Sequence, residues 1–328
     1  MSAGAIVCFG EALIDFLSEA PAADGVRSFR QFAGGAPANA AVAVARLGGH
    51  CEFVGMLGRD MFGDFLLQSL REAGVGTGYV RRTDQANTAL AFVSLDGQGE
   101  RSFNFYRPPA ADLLFREADF DAGCFAGASV FHVCSNSLTD PGIAQTTLAA
   151  MATARAHGAL VSIDLNLRPA LWPAATPSLP LLWQALEAAD LVKLAGEELA
   201  FLEHDGSHGE AIVARLLRTA RLVLLTDGAA PVRWHARGQA GQVPAFAVRA
   251  IDTTAAGDAF VGGLLSQLQR QAVDANGLEG FLADTAALAR CLRYASACGA
   301  LAVTRQGSFA SLPSDDEVRV LLGADDAA

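Results

Sequence analysis

Residues 251–260 read IDTTAAGDAF, and VGGLL follows at 261–265. An apolar helix begins inside this stretch, behind two acids, two threonines and a run of small residues. Asp252, Thr253 and Thr254 can each accept a hydrogen bond from the orphan N–H groups of a helix start. One such residue suffices for a cap, yet three stand here, and Asp258 adds a second acid. Ala255, Ala256 and Gly257 lie between them and leave the first-turn N–H groups open to an approaching anion, which the helix dipole also favours. On this stretch alone, a plain cap and an anion site are both open.

Composition narrows the choice. The chain has 328 residues, of which 52% are hydrophobic, enough for a large α/β core. A net charge of -11 offers no attractive field to nucleic acid or to an anionic membrane, so neither is an expected partner. The N-terminal segment MSAGAIVCFG has no basic region, and Glu11 interrupts its apolar run, so it reads as a buried strand and not a signal peptide. No apolar stretch is long enough to span a bilayer. The six cysteines are scattered without C-x-x-C spacing, consistent with buried thiols in a reducing cytoplasm. Lys193 is the single lysine and is not in a Gly-Lys-Ser/Thr context, which excludes a P-loop.

Short apolar runs at 5–9, 51–56, 129–133, 160–164, 191–193 and 222–226 read as buried strands. Helical patterns at 38–47, 63–73, 142–157, 179–189 and 209–219 fall between several of them. The alternation predicts a doubly wound, mostly parallel α/β sheet covered on both faces, in one domain spanning 1–328. Two segments, at about 12–33 and 87–108, break the rhythm. Extended runs at 13–17 and 28–32 flank a polar loop, and those at 88–95 and 101–106 flank DGQGE at 96–100. They predict a small antiparallel β lid over a cleft; an edge extension or a contact between two chains is the plainer alternative.

Ligands in such sheets bind beyond the carboxyl ends of the strands. Asp15 follows the first strand, and a carboxylate there suits a sugar diol as acceptor. Gly34, Gly35 and Asn39 precede a helix, where glycines allow close backbone approach and an Asn can meet hydroxyls. Asp164, Asn166 and Arg168 alternate after a further strand; Gly196, Glu197 and Glu198 follow the next, and Thr226, Asp227 and Gly228 the one after. Several polar strand ends in one sheet describe a cleft. His132, His157, His204, His208 and His235 lack metal-ligand spacing. No G-x-S-x-G elbow and no dinucleotide fingerprint is present. A phosphate at 255–258 with a base beside it becomes the leading reading.

IDTTAAGDAFVGGLL resembles the carboxyl-terminal signature of the ribokinase-like (phosphofructokinase B type) sugar kinases, and FAGGAPANAAVAVARLGG with FVGMLGRDMFG resembles their amino-terminal one. TALAFVSLDGQGERSFNFYRPPAADLLF, DLNLRPALW and VKLAGEEL are similar to the fructokinase branch. The resemblance spans about 6–313 and implies ATP, Mg²⁺ and possible K⁺ as cofactors and a small sugar as substrate. It implies Asp258 as the base and the N–H groups of Ala255, Ala256 and Gly257 as an anion hole. Asp15, Gly34, Gly35, Asn39, Arg107 and Arg168 match sugar-side positions. Lys193, Glu198, Thr226, Gly228 and Ser296 match the nucleotide side, with Glu198 acting on magnesium through water. Asp252, Thr254, Ala302, Arg305, Gly307 and Ser311 match residues that hold a monovalent cation. The sequence departs from the family pattern at Ala255, Ala195 and Pro231.

The resemblance therefore implies a fructokinase. 2-Keto-3-deoxygluconate kinase, ribokinase and a catalytically silent sugar-binding regulator are the alternatives. A lid sheet of this kind could also pair two chains. Since alanine resists positive φ, Ala255 is expected at negative φ, with its methyl group toward the apolar side of the helix.

Overall fold

The computed structural model describes residues 4–19, 26–95, 101–203 and 208–325. The expected turn at 96–100, much of the polar loop in the first lid segment, and His204 lie outside them. The strands are β1 (Ala5–Phe9), β2 (Leu13–Ser18), β3 (Phe29–Gly34), β4 (Cys51–Gly58), β5 (Val80–Thr83), β6 (Leu90–Leu95), β7 (Arg101–Tyr106), β8 (Ala128–Cys134), β9 (Leu160–Asp164), β10 (Leu191–Ala195), β11 (Leu222–Thr226), β12 (Val232–Ala236) and β13 (Gln239–Val243). The helices are α1 (Ala36–Arg46), α2 (Met61–Glu72), α3 (Pro141–Ala156), α4 (Leu179–Glu187), α5 (Gly196–Leu202), α6 (Gly209–Leu216), α7 (Ala256–Arg270), α8 (Leu278–Ala283), α9 (Thr285–Ala302) and α10 (Asp315–Asp325).

The nine-stranded sheet has the order β13-β12-β11-β10-β9-β8-β1-β4-β5. Every pairing from β11 to β5 is parallel, and β12 and β13 extend one edge antiparallel. Successive side chains of β1 go to opposite faces, as strand geometry demands. Ile6 and Cys8 join an apolar cluster with α1, α7 and α9. Val7 and Phe9 join another with α3, α4 and α6. That double coverage is why the central strands are mostly apolar. The edge pair β12 and β13 alternates buried and exposed positions, so it carries no continuous apolar run.

The lid is a four-stranded sheet ordered β3-β2-β6-β7. Each insertion forms an antiparallel hairpin, and the two join through β2 and β6, which run parallel. One lid face carries Phe16 stacked on Phe92 at 5.0 Å, with Phe29 and Tyr106 edge-on to Phe92. The opposite face turns Leu13, Asp15, Leu17 and Phe105 into a cavity.

Helix α7 is wedged between α1 and α9, and glycine makes that approach possible. A methyl group on Gly262 would lie 2.3 Å from the Ala43 Cβ, and one on Gly263 would lie 2.8 Å from the Cys298 Sγ. Replacing glycine by alanine in a free helix is worth about 1 kcal/mol of stabilisation. Here overpacking should reverse the sign, so Gly262→Ala is expected to cost about 1–3 kcal/mol, read as a lower urea midpoint.

Candidate active site

The N-terminus of α7 opens at the carboxyl ends of the parallel strands. Ala255, at its N-cap, has φ 60° and ψ 8°. The expectation of negative φ is therefore wrong: the residue is left-handed, a conformation that costs a residue with a Cβ about 1–2 kcal/mol. Surrounding bonds hold it there. The Asp252 Oδ1 accepts from the Thr254 N–H at 2.8 Å, and the Ala255 carbonyl accepts from the Ala259 N–H at 2.8 Å. Ala255 belongs to the apolar cluster under the helix and also borders the cleft. Of the proposed anion-hole groups, the Ala256 N–H leans back on the Thr253 carbonyl at 3.4 Å, a weak contact.

Asp258, in the first turn of α7, is buried. Two amides hold its carboxylate: Asn39 of α1 donates to Oδ2 at 2.7 Å and Asn166, just past β9, donates to Oδ1 at 3.0 Å. Asn166 has φ 42°, a left-handed turn that asparagine tolerates and that aims its amide at Asp258. Beside them the Lys193 Nζ of β10 donates to both Asp164 oxygens, at 3.0 and 3.1 Å. Burial would lower the ammonium, but Asp164, Glu198 and Asp258 outweigh it and hold it above its ordinary value. Burial, then the Asp164 charge, push the Asp258 carboxyl up to about 7, against the Asn39 hydrogen bond and the Arg168 and Lys193 charges.

Two cavities meet at this carboxylate. One, about 1000 Å³, lies under the lid and is lined by Glu11, Asp15, Gly35, Asn39 and Asn136 among others. The second, about 980 Å³, runs past Lys193, Thr226, Gly228, Phe246, Val248 and Ser296. Asn166, Arg168, Glu198, Ala255 and Asp258 border both. The geometry thus suits transfer of a group from a ligand in one chamber to a ligand in the other.

On the lid side, the Asp15 carboxylate accepts from the Ser308 Oγ at 2.7 Å, and burial pushes it up to about 6 despite that bond. A methyl group on Gly34 would lie 2.3 Å from the Asp15 Oδ2, and Gly35 sits at φ 106° against the Glu11 carbonyl, so both positions require glycine. Arg168 is exposed, with one guanidinium nitrogen on the Leu167 carbonyl. Arg107 departs from its expected place. It is fully buried and donates to Asp112, to the Thr139 Oγ1 and to the Asn136 carbonyl, outside the residues that line either cavity.

On the other side, the Glu198 oxygens accept from the N–H groups of Leu167 at 2.8 Å and Ala195 at 2.6 Å. Burial raises this carboxyl, although Lys193 opposes the shift. Ala195 supplies the N–H that an Asn or Ser would, but no side-chain acceptor. Pro231 does not line the cavity, whereas Gly228 does, at φ 50°. Behind α7, the Asp252 carboxylate gathers the N–H groups of Thr254 and Gly307; Ala302, the last residue of α9, and Ser311 are buried. The Arg305 side chain points elsewhere and pairs with Glu317. Among the described residues, no cluster of His, Cys, Asp and Glu could cage a metal. Sequence reasoning passed over Glu11, Asn136 and Ser308 as site residues. Glu11 and Asn136 do follow strands β1 and β8, which was the available signal.

Comparison with known proteins agrees with this geometry. The pfkB family carbohydrate kinase profile matches residues 4–315, and the chain belongs to that family, with its ribokinase-like α/β fold. Within it the chain falls in the fructokinase branch. It is 42% identical to fructokinase-1 of Oryza sativa subsp. japonica, over 97% of each chain. It superposes on a crystal structure of fructokinase from Xylella fastidiosa with bound ATP at TM-score 0.94, with 52% identity over 98% of this chain and 99% of that one. A fructokinase from Vibrio cholerae O395, in a form with fructose, ADP and calcium ion bound, gives TM-score 0.87 and 33% identity over 98% of this chain and 100% of that one.

The left-handed Ala255 generates a test. Glycine there removes about 1–2 kcal/mol of strain and gives back about 0.4–1 kcal/mol of unfolded-chain entropy. Ala255→Gly should therefore raise stability by up to roughly 1.6 kcal/mol. Chemical denaturation would show it, and a lower midpoint would mean that the alanine is not strained.

Proposed function

We propose that this chain is an ATP-dependent fructokinase, transferring the γ-phosphate of ATP to a hydroxyl of fructose. The observation that carries the substrate class is the charge of the lid-side cavity. Its lining holds the carboxyl groups of Glu11, Asp15, Glu197, Glu198 and Asp258, and among the described residues Arg168 is its one cationic side chain. A neutral polyol fits that wall as a hydrogen-bond donor. An acidic sugar such as ketodeoxygluconate needs cations, and with Arg107 committed to Asp112 it has one fewer than the sequence suggested. The fructokinase names of the relatives support the choice of fructose over ribose.

The chain's own residues then divide the work. Asp258 accepts the proton of the attacking hydroxyl, and Asn39 and Asn166 fix the direction of its lone pairs. Asp15, kept in place by Ser308, accepts from sugar hydroxyls. The first turn of α7 presents N–H groups and a positive dipole end to the transferring phosphoryl group, and Arg168, bordering both chambers, adds positive charge there. Glu198, its oxygens oriented by two backbone N–H groups, would position magnesium through water, and Mg²⁺ supplies charge neutralisation on the phosphates. Thr226, Gly228 and Ser296 line the chamber that would take the nucleotide, and Lys193 sits beneath Gly257. Asp252 and the loop at Gly307 would hold a monovalent cation such as K⁺ behind α7, and Arg305 could contribute only through its backbone. A silent sugar-binding regulator would have no use for a carboxylate aimed by two amides at the junction of the chambers.

Coupled ADP-release assays across fructose, ribose, ketodeoxygluconate and nucleosides test the reading. Fructose should give the highest kcat/KM, and a preference for ketodeoxygluconate would overturn it. Asp258→Asn should retain sugar binding and lose about 10²–10⁴-fold in kcat. For the wild type, kcat/KM should fall as pH drops through about 7, where Asp258 takes up a proton.

The same carboxyl affects stability, and the sign is fixed by its raised pKa. Between the ordinary value of 3.8 and about 7 the native state holds a proton that the unfolded chain has released, so stability declines as pH rises through that window. The full cost, of the order of 4 kcal/mol, is present above it. The melting temperature of Asp258→Asn relative to wild type should accordingly climb from pH 5 to pH 8. A difference independent of pH would show that Asp258 titrates in its usual range.

A further inference from the structure

Resting on the sugar-kinase reading, we propose that Glu11 is a sugar-binding residue, accepting a hydrogen bond from one substrate hydroxyl and so setting which sugars the cavity takes. Glu11 lies two residues past β1, is 1% exposed, and lines the cavity under the lid. Its Oε1 accepts from the Asn136 Nδ2 at 2.9 Å and from the Ala36 N–H at 3.3 Å. Its Oε2 has the Cys134 Sγ at 3.8 Å, a thiol and hence a weak donor. A carboxyl oxygen that deep inside a protein, with a weak thiol donor as its side-chain partner, costs free energy unless something else donates to it. Beside it, the Asn136 Oδ1 is likewise buried without a partner among the described residues. A hydroxyl-rich ligand answers both needs, because its hydroxyls can donate both to the carboxyl oxygen of Glu11 and to the amide oxygen of Asn136.

The wall behind is built to keep this carboxylate in place. Arg107 donates to the Asn136 carbonyl at 2.8 Å while bound to Asp112. Burial raises the Glu11 carboxyl above its ordinary value, and the Arg107 charge opposes that shift. Arg107 is thus a positioning residue: it fixes the segment that presents the Asn136 amide to Glu11 without entering the cavity itself. This accounts for an arginine buried at 2% exposure within a sugar kinase whose substrate it does not reach.

The test is a substrate dissection with Glu11→Gln, which keeps shape and removes charge. Sugar KM should rise about ten- to a hundredfold, the loss of one hydrogen bond to a charged group, while the KM for ATP stays within twofold. A series of monodeoxy analogues of the preferred sugar supplies the readout a structural role would not move. One analogue, lacking the hydroxyl that Glu11 binds, should show almost the same KM with wild type and variant. An equal penalty for every analogue, or none for any, would overturn the proposal. If Glu11→Gln does not fold, Glu11→Asp, which keeps the charge and shortens the reach, must show the same selective pattern. Should the wild type prefer a sugar other than fructose, the fructokinase reading fails first, and the deoxy series is built on that sugar to judge Glu11 separately.

Discussion

A carboxylate kept in a dry place at the mouth of a helix is the constraint from which the rest of this molecule follows. Burial raises the Asp258 carboxyl, as the proposed base role requires, and makes its charge costly. The chain answers by bringing in amides from two distant segments, Asn39 and Asn166, and by setting a neutralised Lys193–Asp164 pair beside them. Those partners come from α1, from the loop after β9 and from β10, so the whole central sheet must be in register before the site exists. The small residues of α7 serve the same end, because they allow the helix to sink between α1 and α9 and carry Asp258 to the strand ends.

Much of this architecture is legible in the sequence, for a physical reason. Strands covered on both faces are largely apolar runs, and 5–9, 160–164 and 222–226 coincide with β1, β9 and β11. The hairpin strand at 101–106 coincides with β7 because its neighbours break the α/β alternation. Edge strands β12 and β13 escape the same reading, since half their side chains meet solvent and their pattern is mixed. The parallel contact between the two lid hairpins also escapes it, because pairing between distant segments leaves no local trace.

The site was less legible than the fold, and the misses share a cause. The family resemblance places Arg107 on the sugar side, yet the folded wall satisfies it with Asp112. Ala255 reads as a residue at negative φ, since alanine prefers it, but the turn between Asp252 and α7 overrides that preference. Glu11 reads as an interruption of an apolar run because its partners lie far along the chain. In each case the local sequence states what a residue favours alone, and tertiary packing supplies what it is made to do.

The position of Lys193 has a consequence for the chemistry of the surface. It is the chain's only lysine, and it is buried with its ammonium locked to Asp164. The positive side chains elsewhere are all guanidinium groups, which acylating reagents and lysine-modifying enzymes do not attack at neutral pH. No side-chain amine is therefore offered on the outside of the folded molecule. Acylation of Lys193 requires the ion pair to open and the amine to shed its proton, so its rate would follow the opening of that pair. The protein's one side-chain amine thus reports on a buried ion pair and on nothing at the surface.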